Sequence, residues 1–309
     1  MIPDIITPVS ENLFLSKWLD IDLKIKHDDL FPFVGGGNKA RKIKYILNDA
    51  ERKGSNALVS AGAANSNHAR VVAIAGARNG WSVKLIIHDD EDYSKGNLLL
   101  MKMSGADLVF VDHADVSDAM DQAMEDLRND GFEPYYIWGG GHNIYGMLAY
   151  YEAVKEVESQ LKDWNPDYVI HASGTGGTQT GLHVGFEELY SDTKVIGISV
   201  AREKGRGERI VEEGVKDLRK YLGIYNKRNE VIFLDDWTKD GYGSIYPNLV
   251  EGIKKASKYG FITDPVYTGK ALLALSEMCS DKTIEPNSKV LFWHTGGLAN
   301  LYNEYQSFT

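Results

Sequence analysis

A lysine follows a run of glycines at the predicted start of a helix. The segment is GGGNKARK (residues 35–42), and Lys39 begins an amphipathic stretch that continues to about residue 53. The positive end of the helix dipole disfavours the ammonium form, so the pKa of Lys39 should be lowered and its amine available for imine chemistry. The simpler interpretation is a solvated surface lysine. Three glycines before a helix are unfavourable unless another group must approach the backbone closely, which favours a functional role.

A second glycine-rich turn, GTGGTQTG (residues 174–181), stands between the predicted strand DYVIHAS and a predicted helix. Consecutive glycines let backbone N–H groups converge, and the helix dipole adds positive potential, so the turn suits a phosphate. It is neither a Walker A loop nor a G-x-G-x-x-G dinucleotide loop. A tight strand–helix turn without a ligand is the other interpretation. The segment therefore predicts a phosphate site, but not one for ATP.

A third turn, Ser66-Asn67-His68, begins a predicted helix directly after the strand ALVSAG. Free N–H groups and these three side chains suit a substrate carboxylate, although ordinary helix capping explains Ser66 equally well. Tyr242 in DGYGS and Tyr267 in DPVYTGKA are further candidates, although an isolated tyrosine is usually a packing residue.

Apolar strands alternate with amphipathic helices along the chain, a pattern typical of parallel sheets covered on both faces. Eight strand candidates fit two smaller sheets better than one large sheet. In such folds ligands bind at the carboxyl ends of the strands, where the glycine-rich turns lie. The candidates are 57–62, 82–88, 107–112, 135–141, 167–173, 194–200, 231–236 and 289–296.

Composition excludes several classes of protein. The chain has 309 residues, a net charge of −10 and a pI near 5.3, which argues against nucleic acid or an anionic membrane as partner. The one cysteine, Cys279, stands among apolar residues and is expected to be a buried thiol in a reducing compartment. The N-terminal segment lacks the features of a signal peptide, so we expect a cytoplasmic protein.

Eight motifs together resemble the series found in the D-cysteine desulfhydrase and 1-aminocyclopropane-1-carboxylate (ACC) deaminase family. In order they are GGGNKARK, NSNHAR, GNLLLMKMSGAD, GGGHN, GTGGTQTG, GYG, DPVYTGKA and HTGG, from Gly35 to Gly297. The resemblance implies an α/β enzyme of fold type II, similar to the tryptophan synthase β subunit, that uses pyridoxal 5′-phosphate (PLP). It also implies a large domain (1–44 and 146–309), an inserted smaller domain (45–145), an active site between them, and a homodimer.

The resemblance also implies roles for individual residues. Lys39 matches the lysine that holds the cofactor as a Schiff base, and Asn67 matches the residue that hydrogen-bonds the ring hydroxyl. The phosphate cup corresponds to Gly174, Thr175, Gly176, Gly177 and Thr178. The turn that binds the substrate carboxylate corresponds to Ser66, Asn67 and His68. Tyr267 and Tyr242 match two active-site tyrosines, and Thr295 matches the partner of the pyridine nitrogen.

Departures from the family pattern favour one reaction. ACC deaminases resemble YEGKS where this chain has YTGKA, so Thr268 stands in place of a glutamate, and Thr295 stands where those enzymes have leucine. A hydroxyl holds the pyridine nitrogen protonated less well than a carboxylate, so the electron sink is weaker. Two further departures, His142 in GGGHN and Asn65 before Ser66, would alter the substrate if their side chains faced the cleft.

The predicted reaction is α,β-elimination from D-cysteine or another β-substituted alanine, giving pyruvate, ammonia and the released β-group. Lys39 is the predicted base, and Tyr267 with Tyr242 assists the leaving group. ACC deamination and β-replacement are alternatives that use the same residues. A phosphosugar-binding enzyme without PLP is a third alternative, but it leaves the GGGNK segment unexplained.

Overall fold

The computed structural model describes residues 4–32, 36–92, 96–225 and 230–309. Gly35, the first glycine of the GGGNKARK segment, lies outside the described residues. The described chain forms an α/β fold with two separate sheets. None of its described helices is long and apolar enough to cross a membrane.

The larger sheet has six strands in the order β1-β2-β10-β7-β8-β9. All neighbours are parallel except β1, which pairs antiparallel with β2. The strands are β1 (Val9–Glu11), β2 (Asp22–His27), β7 (Tyr168–Ser173), β8 (Lys194–Ser199), β9 (Ile232–Leu234) and β10 (Lys289–His294).

The smaller sheet has four parallel strands in the order β5-β4-β3-β6. They are β3 (Ala57–Gly62), β4 (Ser82–Ile87), β5 (Asp107–Phe110) and β6 (Pro134–Ile137). All four lie within the segment 45–145 that was predicted as an inserted domain. The expectation of two sheets is confirmed, while the domain boundaries at 44/45 and 145/146 stay a prediction.

Helices pack around both sheets. They are α1 (Leu13–Leu19), α2 (Gly37–Arg52), α3 (Asn67–Asn79), α4 (Gly96–Met103), α5 (Val116–Asn129), α6 (Ile144–Leu161), α7 (Gly177–Leu189), α8 (Lys204–Leu222), α9 (Pro247–Ser257), α10 (Thr268–Ser280) and α11 (Leu298–Asn303).

Alternation of side chains along the strands explains why each sheet is covered on both faces. On β7, Ile170 lies in a core shared with α9 and α10, whereas its neighbour Val169 lies in a core shared with α6 and α7. On β3, Leu58 faces α2 and α3, and Val59 faces α5. Successive strand residues point to opposite faces, so an uninterrupted apolar strand requires helices on both sides.

Helix α2 is attached to both sheets. Ile43 and Ile46 on its apolar face pack with Leu58 in the core of the smaller sheet. On another face, buried Arg41 donates to Asp28 Oδ1 and to Glu156 Oε2, each at 2.7 Å. Asp28 directly follows β2, and Glu156 lies in α6, so this ion-pair network fixes α2 against the larger sheet.

Candidate active site

Three predicted turns meet at the carboxyl edge of the larger sheet. The loop after β7, the loop after β10 and the start of α2 form one wall of a cleft, and the start of α3 from the smaller sheet forms another. The lining residues are Gly36, Gly37, Asn38, Lys39, Asn67, Arg70, Ala172, Ser173, Gly174, Thr175, Gly176, Thr178, Tyr267, Thr295, Gly296 and Gly297.

Lys39 is the third residue of α2 and lines the cleft. The helix start is pinned to the loop after β10, because Asn38 N–H donates to the Thr295 carbonyl at 2.9 Å. Gly37 has φ +80°, and a Cβ atom there would lie 2.9 Å from the same carbonyl oxygen, which explains this glycine. Burial lowers the pKa of Lys39 to about 8, so a far larger fraction of the amine is neutral near physiological pH than in an ordinary lysine.

The GTGGT loop presents unpaired backbone donors to the cleft. Within the described chain, no backbone N–H from Gly174 to Thr178 donates to a protein acceptor. Gly176 has φ +89° and caps α7, whose positive dipole end adds to these donors. Asn38 Nδ2 donates to Thr178 Oγ1 at 3.2 Å, which joins this loop to the start of α2. The arrangement is a typical anion site.

Two basic side chains lie behind the GTGGT loop. A Cβ atom on Gly177 would lie 3.2 Å from Lys42 Nζ and 3.4 Å from His142 Nδ1, so both side chains pack closely against the underside of this loop. Lys42 is buried, and burial together with Lys39 lowers its pKa well below the usual value. Burial also lowers the pKa of His142 to about 4, so its ring is neutral. His142 does not line the cleft formed by the described residues, and neither does Asn65.

The orientation of the Asn67 amide is fixed by its neighbours. Its Oδ1 accepts hydrogen bonds from Arg70 Nη2 and from Asn97 Nδ2, both at 3.2 Å. A guanidinium can only donate, so the atom that faces Arg70 must be the carbonyl oxygen. The Asn67 NH₂ group is therefore the donor left for a ligand.

The other two residues of this turn do not enter the cleft with their side chains. Ser66 is the N-cap of α3, and its Oγ accepts from Ala69 N–H at 3.2 Å. The buried ring of His68 pairs with Ser60 Oγ at 3.0 Å, and burial with the nearby lysines lowers its pKa to about 3. A carboxylate in the cleft would therefore meet the backbone N–H groups at the start of α3 rather than the His68 ring.

The two candidate tyrosines lie together. Tyr267 lines the cleft, and its hydroxyl is hydrogen-bonded to the hydroxyl of Tyr242, which lies outside the lining. Burial, with Tyr242 and Asp264 nearby, raises the pKa of Tyr267 well above the usual value, so this phenol is protonated and can act as a proton donor.

The two threonines at the positions that distinguish this chain from ACC deaminases differ in whether a ligand can reach them. Thr295 lines the cleft. Thr268 is fully buried at the start of α10, where its hydroxyl donates to Asp264 Oδ1 at 2.7 Å and accepts from Asp264 N–H at 3.1 Å. The hydroxyl of Thr268 is thus committed to its own helix terminus, and Thr295 is the threonine that a ligand can reach.

The charge of the site fits a phosphorylated cofactor. No carboxylate is among the described residues that line the cleft, and no metal-binding cluster of His, Cys, Asp or Glu occurs in the described chain. Lys39, Lys42 and Arg202 surround the GTGGT loop without a carboxylate partner in the same part of the structure. A phosphate group would supply the missing negative charge, and Lys39 would supply the amine for an aldehyde.

Fold and site thus define an enzyme of the α/β class that binds a phosphorylated carbonyl cofactor. The model of the pyridoxal-phosphate dependent enzyme family matches residues 4–296, and the chain belongs to this family. Its cofactor is pyridoxal phosphate. The match confirms the predicted fold class and excludes the alternative of a phosphosugar-binding enzyme without this cofactor.

Individual relatives carry two different names. The chain is 33% identical over 301 residues to a putative ACC deaminase of Pyrococcus horikoshii, covering 96% of this chain and 91% of the relative. It is also 33% identical over 309 residues to a D-cysteine desulfhydrase of Yersinia enterocolitica, covering 96% and 92%. A solved ACC deaminase homologue superposes with a TM-score of 0.93 at 32% identity, covering 100% of this chain and 94% of that structure.

Sequence reasoning did not single out several residues that belong to this site. Lys42, in the motif GGGNKARK, was given no role, but it is buried beneath the GTGGT loop. Arg70 lines the cleft, and Asn97 is buried and orients Asn67. Arg70 and Asn97 lie within the matched motifs NSNHAR and GNLLLMKMSGAD, which was the available signal.

Proposed function

We propose that this protein catalyses PLP-dependent α,β-elimination on D-cysteine or another β-substituted alanine. The observation that carries the proposal is the absence of a carboxylate among the described residues lining the cleft, with Thr295 reachable and Thr268 committed to Asp264. Without a carboxylate, the pyridine nitrogen is held protonated less strongly. The pyridine ring is then a weaker electron sink. A substrate whose β-group leaves with the electron pair of its bond to Cβ needs less help from that sink.

The cofactor, when bound, withdraws electrons from the substrate α-carbon and so stabilises negative charge there. Lys39 is the proposed base, because its lowered pKa leaves a neutral Nζ that can accept the α-proton. Backbone N–H groups at Asn67 and His68 hold the substrate carboxylate, and the Asn67 NH₂ group holds the cofactor oxygen. The N–H groups of residues 174–178 hold the phosphate.

Tyr267 is the proposed donor to the leaving group. Its raised pKa keeps the phenol protonated, and its hydrogen bond with Tyr242 gives a route by which the proton is replaced. For D-cysteine the Cα–H and Cβ–S bonds break, and sulfide leaves with a proton. The released enamine is hydrolysed by water to pyruvate and ammonia, so the elements of D-cysteine and one water balance the products.

Parallel assays on D-cysteine, L-cysteine, β-chloro-D-alanine and ACC test this function. We expect pyruvate from D-cysteine or β-chloro-D-alanine and little 2-oxobutyrate from ACC, with Lys39→Ala inactive on all of them. A few kcal/mol of lost stabilisation would slow ACC opening by roughly two orders of magnitude or more. Faster turnover of ACC than of every β-substituted alanine would contradict the proposal and favour ACC deamination.

We also propose, from the family resemblance, that the protein is a homodimer, and, from its single cysteine, that it works in the cytoplasm. The molar mass in solution, measured by light scattering after gel filtration, tests the first point.

A further inference from the structure

Arg202 lies next to the phosphate loop because two neighbouring strands end at the same edge. Strands β7 and β8 are parallel, with Ser173 opposite Ser199, and Val200 N–H donates to the Ser173 carbonyl at 3.1 Å. The turn that follows β8 therefore runs beside the turn that follows β7. The guanidinium of Arg202 crosses this gap and donates through Nη1 to the carbonyl oxygen of Gly174.

The turn that carries Arg202 is held in place. The fully buried Ser199 hydroxyl accepts from Arg202 N–H at 3.0 Å and donates to the Arg202 carbonyl at 2.7 Å. Both bonds restrain the backbone from which the long side chain extends, so the bond to Gly174 starts from a fixed position.

The bond to Gly174 has a consequence for the next residue. In a planar trans peptide, the carbonyl of Gly174 and the N–H of Thr175 point in opposite directions. Arg202 is not among the described residues that line the cleft, so its bond holds the Gly174 carbonyl toward a group outside the lining and directs the Thr175 N–H to the opposite side. Both Gly174 and Thr175 line the cleft.

We propose that Arg202 is a positioning residue for the cofactor phosphate: it orients the 174–175 peptide so that the Thr175 N–H faces the phosphate. This proposal rests on the assignment of residues 174–178 as the phosphate cup. Arg202 has no carboxylate partner among the described residues, so its positive charge is not neutralised locally and also favours an anion at this loop.

The test compares PLP with pyridoxal, which lacks the phosphate. The apoprotein of the wild type, of Arg202→Ala and of Arg202→Lys is titrated with each compound by absorbance. We expect Arg202→Ala to weaken PLP binding about tenfold to a hundredfold, because a charge-assisted hydrogen bond and its field are lost, and to change pyridoxal binding less than about twofold. Arg202→Lys should give an intermediate loss, because the charge remains without the planar donor geometry.

The matched control is Arg206→Ala, which removes the same charge from the exposed side of α8 nearby. It should leave the affinity for both compounds unchanged. Equal weakening of PLP and pyridoxal by Arg202→Ala would show a general structural effect and overturn the proposal, as would unchanged PLP affinity in both Arg202 variants. If Arg202→Ala does not fold, the test uses Arg202→Lys. Its loss of affinity for PLP is then compared with its loss for pyridoxal in the same way. Failure of the wild type to bind PLP would instead contradict the proposed phosphate cup.

Discussion

At the scale of single residues, the proposed chemistry depends on a lysine that is partly neutral. Two lysines three positions apart, Lys39 and Lys42, share the start of α2, and burial lowers the pKa of both. Only Lys39 lines the cleft. Lys42 faces the underside of the GTGGT loop, and its amine does not line the cleft.

The lowered pKa of Lys39 predicts how the apoprotein captures PLP at different pH values. Capture requires the neutral amine, so its rate should rise with pH up to about 8 and then level off. An ordinary lysine would keep gaining about tenfold per pH unit until about 10.4. Stopped-flow absorbance after mixing apoprotein with PLP measures the rate, and Nα-acetyl-lysine serves as the unperturbed control. A profile that still rises steeply between pH 9 and 10 would contradict the lowered pKa.

The role of Tyr267 predicts a dependence on the leaving group. Tyr267→Phe removes the donor but keeps the ring, so elimination from D-cysteine should slow by roughly 10²-fold or more. Elimination of chloride from β-chloro-D-alanine needs no proton on the leaving group and should slow much less. The ratio of kcat for the two substrates in wild type and variant is the measurement. Equal losses on both substrates would show that Tyr267 acts on binding or on the α-proton instead.

Short sequence motifs predicted most of the proposed site residues. They did so only where residues adjacent in the chain formed the motif. Lys39, Asn67, Tyr267 and Thr295 all line one cleft, while their roles stay predictions. The engagement of Thr268 by Asp264 was not visible, because the short DPVYTGKA segment gives no sign of which side chain caps α10. The hydrogen bond between Thr268 and Asp264 could be assigned only from the structure of the N-terminal end of α10.

At the scale of elements, α2 places Lys39 because its own position is fixed from two sides. The apolar face packs against the smaller sheet, while Arg41 and Lys26 share Glu156 in a buried network with Asp28. A buried ion pair contributes little net stability compared with apolar packing, but loss of one partner leaves an uncompensated charge. The network therefore determines position more than stability.

Removal of Arg41 is expected to be strongly destabilising. Arg41→Ala leaves buried Asp28 without its ion-pair partner and Glu156 with Lys26 alone, which typically costs about 3–5 kcal/mol of unfolding free energy. The control Arg52→Ala, on the same helix, removes a mostly exposed guanidinium from Asp49, which keeps Lys53 and Tyr135 as partners, and should cost less than about 1 kcal/mol. Urea denaturation of both variants measures the difference, and similar losses would mean that the Arg41 network is not a determinant of the fold.

The sequence did not reveal two strands, β1 and β2, and the same network explains why β2 was missed. All eight predicted strands are present, because each contains an apolar run, although some are shorter than predicted: β6 ends at Ile137, and Gly139–Gly141 form a 3₁₀ turn. Strand β2, with the sequence DLKIKH, was missed because Lys24 and Lys26 interrupt its apolar residues. Lys26 is fully buried only because Glu156, 130 positions away, and Gln160 accept from its Nζ. A local pattern cannot show a partner at that distance.

At the scale of the whole molecule, the cleft draws on both sheets. The start of α3 comes from the smaller sheet, and the loops after β7 and β10 come from the larger one. The polar ends of strands and helices therefore meet where a cofactor with a phosphate, a ring oxygen and an aldehyde can be held at three separate points. The parallel strands allowed the sequence to predict that the glycine-rich turns lie at this edge. Which loops contact each other there depends on long-range hydrogen bonds, such as that of Asn38 N–H with the Thr295 carbonyl.

The central claim is that Lys39 is the residue that binds PLP covalently, and borohydride reduction tests it most directly. The purified protein with its cofactor is reduced, digested and mapped by tandem mass spectrometry. The predicted result is a phosphopyridoxyl group on Lys39, unchanged in Lys42→Arg and lost in Lys39→Ala. A label on Lys42, on Lys44 or on any other lysine of the wild-type protein would contradict the account.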